Sequence, residues 1–252
     1  LLKGLYGAAT GLMALEQRQA VIANNISNAS TAGFRRQEPV QKGFYDVFLN
    51  RLVRPPLLNA NPAPGGGALF VETFTDTRRG TISTTGDPLN LALEGPGFLV
   101  VQTPFGERYT RSGALSVDTD GQLTTPDGHK ILGAGGTPVD VGGGSLAIGQ
   151  DGLVYEDGVE AGQLQIVEFE DPHMLMREGA SLYRASDAAI ARSGEATETR
   201  VIHKALEMSN VNLPTEMIGM ILGLRAYEAN QKYINVMDET MGRLIDHVGM
   251  GA

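Results

Sequence analysis

Glycine is concentrated in one part of this 252-residue chain: 23 of its 33 glycines lie within residues 65–194, five precede that stretch and five follow it. Glycine weakens helices and supplies positive φ in tight turns. A chain divided in this way reads as a glycine-poor N-terminal arm, a turn-rich centre and a glycine-poor C-terminal arm. The glycine share is well above the usual value of about 7%. The glycines have no collagen-like period, and hydrophobic residues make up 42% of the chain, enough for a packed core.

The N-terminal arm carries a narrow apolar seam. Stepping by threes and fours gives Leu5, Ala8, Leu12, Leu15, Gln19, Ile22, Ile26 and Ala29, apolar or small at every position except Gln19. This spacing predicts a helix with a heptad seam, and Glu16, Gln17 and Arg18 fall on its opposite face. The helix should end within residues 28–33, where Asn-Ala-Ser-Thr-Ala-Gly offers turn and capping chemistry. Charged and polar residues follow directly after residues 1–14, so neither a membrane span of about 20 apolar residues nor a leader with a cleavage site is expected.

The C-terminal arm repeats the pattern with Met217, Met220, Leu224, Tyr227, Gln231, Ile234, Asp238, Met241, Ile245 and Val248. Gln231 and Asp238 interrupt it. Asn212-Leu213-Pro214-Thr215-Glu216 is a helix start, with Pro in the first turn and an early Glu favouring the dipole. Residues 214–248 would span about 50 Å as a helix. Gly219 and Gly223 share one face of it, each costing about 1 kcal/mol against Ala. Close approach of another backbone and flexibility before assembly both account for them. Two helices packed on a globular core would show such patterns, as would arms that pair with each other and with other copies. Narrow seams at both ends of the chain favour the second reading.

In the centre, alternating apolar segments recur between turns: residues 89–93, 98–102, 108–110, 114–117, 122–124, 129–132, 146–148, 153–155 and 163–169. Asp120-Gly121 and Asp127-Gly128 join some of them. Short strands with Asp-Gly turns indicate an antiparallel all-β domain. The fold class is therefore α+β, with N- and C-terminal helices pairing as a coiled coil around a central antiparallel β domain. The expected divisions are an N-terminal arm at 1–36, an extended Pro/Gly-rich connection at 37–69, the β domain at 70–204 and the C-terminal arm at 205–252. Residues 1–36 and 205–252 together would form one inner helical domain.

Catalytic chemistry has little to stand on. There is no cysteine, hence no disulfide, thiolate nucleophile or cysteine metal site, a composition that suits an oxidising compartment. His129, His173, His203 and His247 are scattered without metal-ligand spacing. Ser116-x-Asp118-x-Asp120-Gly121, with Asp127 further on, mimics a calcium loop, but two successive hairpin turns explain the same residues. Asp151, Glu156, Asp157 and Glu160 flank a hairpin and read as a solvated acidic edge. No nucleophile elbow, dinucleotide loop or phosphate loop is present. The net charge of −9 excludes a general nucleic-acid binder. No catalytic, cofactor-binding or metal-binding residue is therefore expected, and no cofactor.

The chain resembles the flagellar basal-body rod and hook family of axial proteins. The resemblance is carried by Leu5-Tyr6-Gly7-Ala8-Ala9-Thr10-Gly11-Leu12 and by Ala23-Asn24-Asn25-Ile26-Ser27-Asn28-Ala29-Ser30-Thr31-Ala32-Gly33-Phe34-Arg35-Arg36. Leu206-Glu207-Met208-Ser209-Asn210-Val211-Asn212 and Arg225-Ala226-Tyr227-Glu228-Ala229-Asn230 carry it at the other end. Centrally it rests on Gly86-Asp87-Pro88-Leu89, Gly95-Pro96-Gly97-Phe98 and Tyr109-Thr110-Arg111-Ser112-Gly113. Leu224 departs from the pattern, standing where the family often has Gln.

The resemblance implies a structural rod subunit, with terminal helices lining an export channel and the β domain outside. It implies a hollow helical shaft across the periplasm that transmits torque from motor to hook. Its partners would be copies of itself, other rod and hook proteins and the flagellar type III export apparatus, with no nucleic acid and no membrane insertion. The subunit would be exported without a cleaved signal peptide, monomeric before assembly and a helical polymer after it. Its arms would order only when copies stack. The segment at residues 162–172 looks more like the proximal-rod type, with the distal-rod type close behind.

Candidate assembly residues are Leu5, Leu12, Leu15, Ile22, Asn24, Asn25, Ile26, Asn28, Gly33, Phe34, Ser209, Asn210, Asn212, Met217, Met220, Leu224, Arg225, Tyr227, Glu228, Ile234, Met241, Ile245 and Val248. The rivals from other classes are a peptidoglycan-acting enzyme and a monomeric β-domain binding module.

Overall fold

The computed structural model describes residues 2–43, 68–179 and 181–249. The Pro/Gly-rich stretch at 50–67, within the expected connection, lies outside the described residues. The chain forms two compact units. One holds Leu1–Ser27, Gln37–Thr75 and Asn212–Ala252; the other holds Asn28–Arg36 and Asp76–Val211. The architecture is α+β, with a helix towards each end of the chain and an antiparallel β region between them.

The helical unit contains an N-terminal helix, Leu2–Ser27, and a C-terminal helix, Leu213–Gly249. The C-terminal helix starts where its capping residues predict. Asn212 Oδ1 accepts the Thr215 N–H at 3.1 Å, and Glu216 provides an acidic first turn. The two helices lie side by side and antiparallel, since Ile22 meets Gly219, Gln19 meets Gly223, and Tyr233 lies near Gly4. Strands β1 (Gln37–Gly43) and β2 (Ala68–Thr75) form an antiparallel hairpin against the N-terminal helix, with a register shift between Val40 and Gln41. Residues 37–43, at the start of the expected connection, are thus strand.

The β unit holds β3 (Ile82–Thr84), β4 (Leu91–Glu94), β5 (Phe98–Thr103), β6 (Gly106–Thr110), β7 (Ser116–Val117), β8 (Leu123–Thr124) and β9 (Lys130–Ile131). It continues with β10 (Leu146–Ile148), β11 (Leu153–Glu156), β12 (Val159–Gln163), β13 (Ile166–Phe169), β14 (Leu175–Glu178) and β15 (Leu182–Ala185). The last three strands are β16 (Ser193–Glu195), β17 (Arg200–His203) and β18 (Ala205–Glu207). The main sheet runs β14-β15-β6-β5-β9-β8-β7, with β13 joining β5 and β16. Smaller antiparallel sheets are β10-β11-β12, β17-β4 and β18-β3. Gly121 and Gly128 take φ of +80°, as their Asp-Gly turns require.

Strand β5 organises the core. Leu99 and Val101 point into one apolar cluster with Leu93, Leu123, Ile131 and Val154, while Phe98 and Val100 point into another with Tyr109, Phe169 and Tyr183. Both faces of the strand are covered, which explains its continuous apolar run. Phe98, Tyr109, Phe169 and Tyr183 meet edge to face, with centroids 4.8–5.8 Å apart.

Candidate functional site

The helical unit is joined through one buried amide and one notch. Asn25 is fully buried. Its Nδ2 donates to the Gln37 carbonyl at 2.8 Å and to Glu216 Oε2 at 3.2 Å, and its Oδ1 accepts the Gln37 N–H at 3.0 Å. One side chain thus links both helices to the first strand of the hairpin. Gln19, the break in the N-terminal seam, donates from Nε2 to the Met220 carbonyl at 2.8 Å. A Cβ on Gly223 would lie 2.8 Å from that same nitrogen, so Gly223 is the notch that receives Gln19. The close approach at Gly223 is therefore made by the Gln19 side chain, whereas a Cβ on Gly219 would reach Ile22 at an ordinary 3.5 Å.

The candidate assembly residues fall into three groups. Ile22 is buried, while Leu5, Leu12, Leu15, Ile26, Met220, Ile234 and Met241 are half-buried. Asn24, Asn212, Met217, Leu224, Arg225, Tyr227 and Glu228 are exposed, Met217 and Leu224 each at 52%. Ile245 and Val248 lie in the C-terminal helix, but their side chains lie outside the described residues. Facing the N-terminal helix are Glu216, Gly219, Gly223, Asn230 and Tyr233, mostly one position away from the apolar spacing. Over residues 217–224 the C-terminal helix is apolar nearly all round, with Ile218, Ile221 and Leu222 exposed as well, and further along Tyr233, Val236 and Leu244 are exposed among charged and polar residues.

The third group, Asn28, Gly33, Phe34, Ser209 and Asn210, belongs to the β unit. Phe34 is buried, and the Arg177 guanidinium stacks 3.9 Å from its ring centroid. Arg177 also donates to the Arg35 carbonyl at 2.7 Å. A Cβ on Gly33 would strike the Arg111–Ser112 backbone at 2.5 Å, and φ there is +69°. Asn28 accepts from the Thr31 hydroxyl at 3.2 Å, and Ser209 Oγ accepts the Val211 N–H at 3.2 Å. Beneath them lies a buried charge cluster that the spacing gives no hint of. Glu207 Oε1 is 2.5 Å from Arg35 Nη2, and its Oε2 is 3.6 Å from Arg111 Nε. All three side chains are nearly inaccessible. Arg111 donates to the Gly95 carbonyl at 2.6 Å and also to the Gly97 carbonyl. Burial pulls its guanidinium down to about 10, against the opposing pull of Glu207, so it keeps its charge at neutral pH. Burial likewise raises the Tyr183 hydroxyl, which lies among these charges.

In the apparent calcium loop, Asp118 Oδ1 accepts the Asp120 and Gln122 N–H groups at 2.9 and 2.8 Å, which is turn chemistry. Among the described residues, no three His, Asp or Glu side chains are grouped so as to hold a metal ion. No helix among them is long and apolar enough to cross a membrane.

Comparison with known proteins matches three regions of the chain. Residues 5–35 match the flagella basal body rod protein family, 92–156 the flagellar hook protein FlgE/F/G D1 domain, and 203–246 the flagellar basal body rod FlgEFG protein C-terminal family. The chain is 31% identical to the flagellar basal-body rod protein FlgF of Rhizobium meliloti, covering 98% of each. It is 30% identical to the flagellar basal-body rod protein FlgG of Bacillus subtilis, covering 98% of this chain and 99% of that protein. It is 31% identical to FlgG of Borreliella burgdorferi, covering 96% and 97%. Matches at both helices and in the β unit, with relatives aligned nearly end to end, make this chain a member of the flagellar basal-body rod protein family.

Proposed function

We infer that this chain is a structural, non-catalytic subunit of the flagellar basal-body rod, polymerising helically with copies of itself and with other rod and hook proteins. The observation that carries this reading is the uncovered apolar surface of the C-terminal helix. Ile218 and Leu222 are each 59% exposed, with Ile221 and Leu224 beside them. Soluble monomers rarely expose contiguous apolar patches of this kind unless they serve as binding surfaces. In the assembled rod, neighbouring helices supply the missing layer and the terminal helices form a coiled-coil lining around the export channel. The seam residues Leu5, Leu12, Leu15, Met217, Met220, Ile234, Met241, Ile245 and Val248 make the contacts between subunits. A heterologous interface that does not close into a ring gives an open helix, and many small contacts share the torque. Net negative charge keeps the subunit soluble before incorporation. Export through the flagellar type III apparatus delivers it, and the character of residues 162–172 supports a proximal position.

Imaging of purified basal bodies carrying a labelled subunit tests this. The label should appear in the rod, nearer its base. A label absent from the rod would overturn the reading, and one confined to the upper rod would move the subunit to the distal type. Turnover of cell-wall fragments by the purified chain would instead favour the enzyme.

A further inference from the structure

The chain passes between its two compact units four times: after residue 27, after 36, after 75 and after 211. On the β-unit side these crossings are the ends of three segments, beginning or ending at Asn28, Arg36, Asp76 and Val211. Two side chains bind all three segments together. The Glu207 carboxylate takes Arg35 at 2.5 Å from the first and the Gly80 N–H at 3.0 Å from the second, and its own carbonyl accepts the Gly33 N–H at 2.8 Å. Asn210 Oδ1 accepts the Arg36 N–H at 2.7 Å, and its Nδ2 donates to the Asp76 and Arg78 carbonyls at 3.2 and 2.8 Å. Arg111 connects this cluster to the core, because it grips the Gly95-Pro96-Gly97 turn that leads into β5.

We propose that Glu207 and Asn210 form a clasp that orders the three segments together, so that both arms gain fixed points of departure only once the β unit has folded. The charge balance makes the clasp cooperative. One carboxylate serves two buried guanidiniums, and a buried charge without its partner is costly. Arg35 therefore cannot settle before Glu207 arrives, and Glu207 is placed by Arg111, which needs the folded turn. This coupling deepens the rod-subunit reading, since the clasp sets where the assembling helices begin and end.

Hydrogen exchange on the full chain tests it, comparing the wild type with Glu207→Gln and Asn210→Ala. In Glu207→Gln, amides of residues 28–36, 76–81 and 205–211 should exchange together, faster by at least about tenfold, while residues 98–103 stay protected. Asn210→Ala should move the same three segments by a smaller factor. If Glu207→Gln also unprotects residues 98–103, Asn210→Ala decides the matter, because it leaves both guanidinium contacts in place. Loss of protection in one segment alone, or in none, overturns the proposal. Incorporation into rods is scored separately: a concerted change in a chain that never enters rods would keep the clasp and remove the rod reading.

Discussion

In β5, Phe98, Leu99, Val100 and Val101 are all buried, whereas on the C-terminal helix Ile218, Ile221, Leu222 and Leu224 are each more than half exposed. Both segments are about equally apolar, so composition does not make the difference. The number of layers does. The β unit covers both faces of β5 from within one chain, one with residues of the smaller sheets and the other with neighbouring strands of the same sheet. Among the described residues, the C-terminal helix receives the N-terminal helix on one face and leaves apolar side chains exposed on the other. A structure that finishes one unit and leaves the other open is suited to a subunit whose remaining layer comes from its neighbours.

The largest expected effect follows directly. Leu222→Asp should abolish incorporation into rods, because it places a charge on the uncovered face. The same change should leave the unfolding of the β unit within about 0.5 kcal/mol of the wild type, since Leu222 packs little in the single chain. Co-purification with basal bodies and thermal unfolding measure the two halves of this statement. Normal rods containing the variant would break the comparison.

Leu99→Ala reverses the pattern. The side chain is fully buried in the core cluster, and its truncation should cost about 2–5 kcal/mol in urea unfolding of the β unit. A cost below about 1 kcal/mol would mean that the β unit is not the self-sufficient half.

How far the sequence disclosed this contrast depends on what each unit uses to pack. The β unit packs by apolar alternation and turns by glycine, and both are visible in the letters. The Asp-Gly pairs at 120–121 and 127–128 lie where the chain turns. Strands β14 and β15 do not stand out in the sequence, because Leu-Met-Arg-Glu and Leu-Tyr-Arg-Ala do not alternate apolar with polar residues. The face between the helices was harder to read. Residues 217–224 of the C-terminal helix are apolar nearly all round, so more than one phase of the 3.5-residue pattern fits them. The contact face is marked instead by Glu216, Gly223 and Asn230, which an apolar count ignores. Gln19 and Gly223 looked like separate irregularities, yet each explains the other. Glu207 was the least legible, since a carboxylate is ordinarily read as surface and its partner Arg35 is far away along the chain. Residues 28–36 look like the tail of a helix, but Phe34 and Arg35 make them part of the β unit.

The two glycines of the C-terminal helix offer a finer test of how tightly the helical unit is closed on its inner face. Gly219→Ala should stabilise the helix by up to about 1 kcal/mol, because its Cβ meets Ile22 at an ordinary distance. Gly223→Ala should lose that gain and more. It would displace Gln19 and break the bond to the Met220 carbonyl, worth about 0.5–1.5 kcal/mol. Amide exchange along residues 213–249 should therefore slow in the first variant and quicken in the second. Equal responses would show that Gln19 does not occupy the notch.

Acid should separate the units by the smallest margin. The described carboxyls held below their ordinary values, Asp76, Glu168 and Glu178, all lie in the β unit. Asp76 is lowered by its hydrogen bonds with Arg78, and Glu178 by the Arg108 guanidinium. At Glu168, burial pushes upward, but the Thr199 hydroxyl at 2.7 Å and the N–H groups of residues 197–199 outweigh it. A carboxyl whose folded value lies below its unfolded value adds stability above the ordinary 4.5, and that stability fades as pH falls through the lowered value. Glu168→Gln should therefore flatten the fall in β-unit melting temperature below about pH 4.5, while the melting of the helical unit follows the wild type. Parallel curves for wild type and variant in the β unit would show that Glu168 gains nothing from Thr199 on folding.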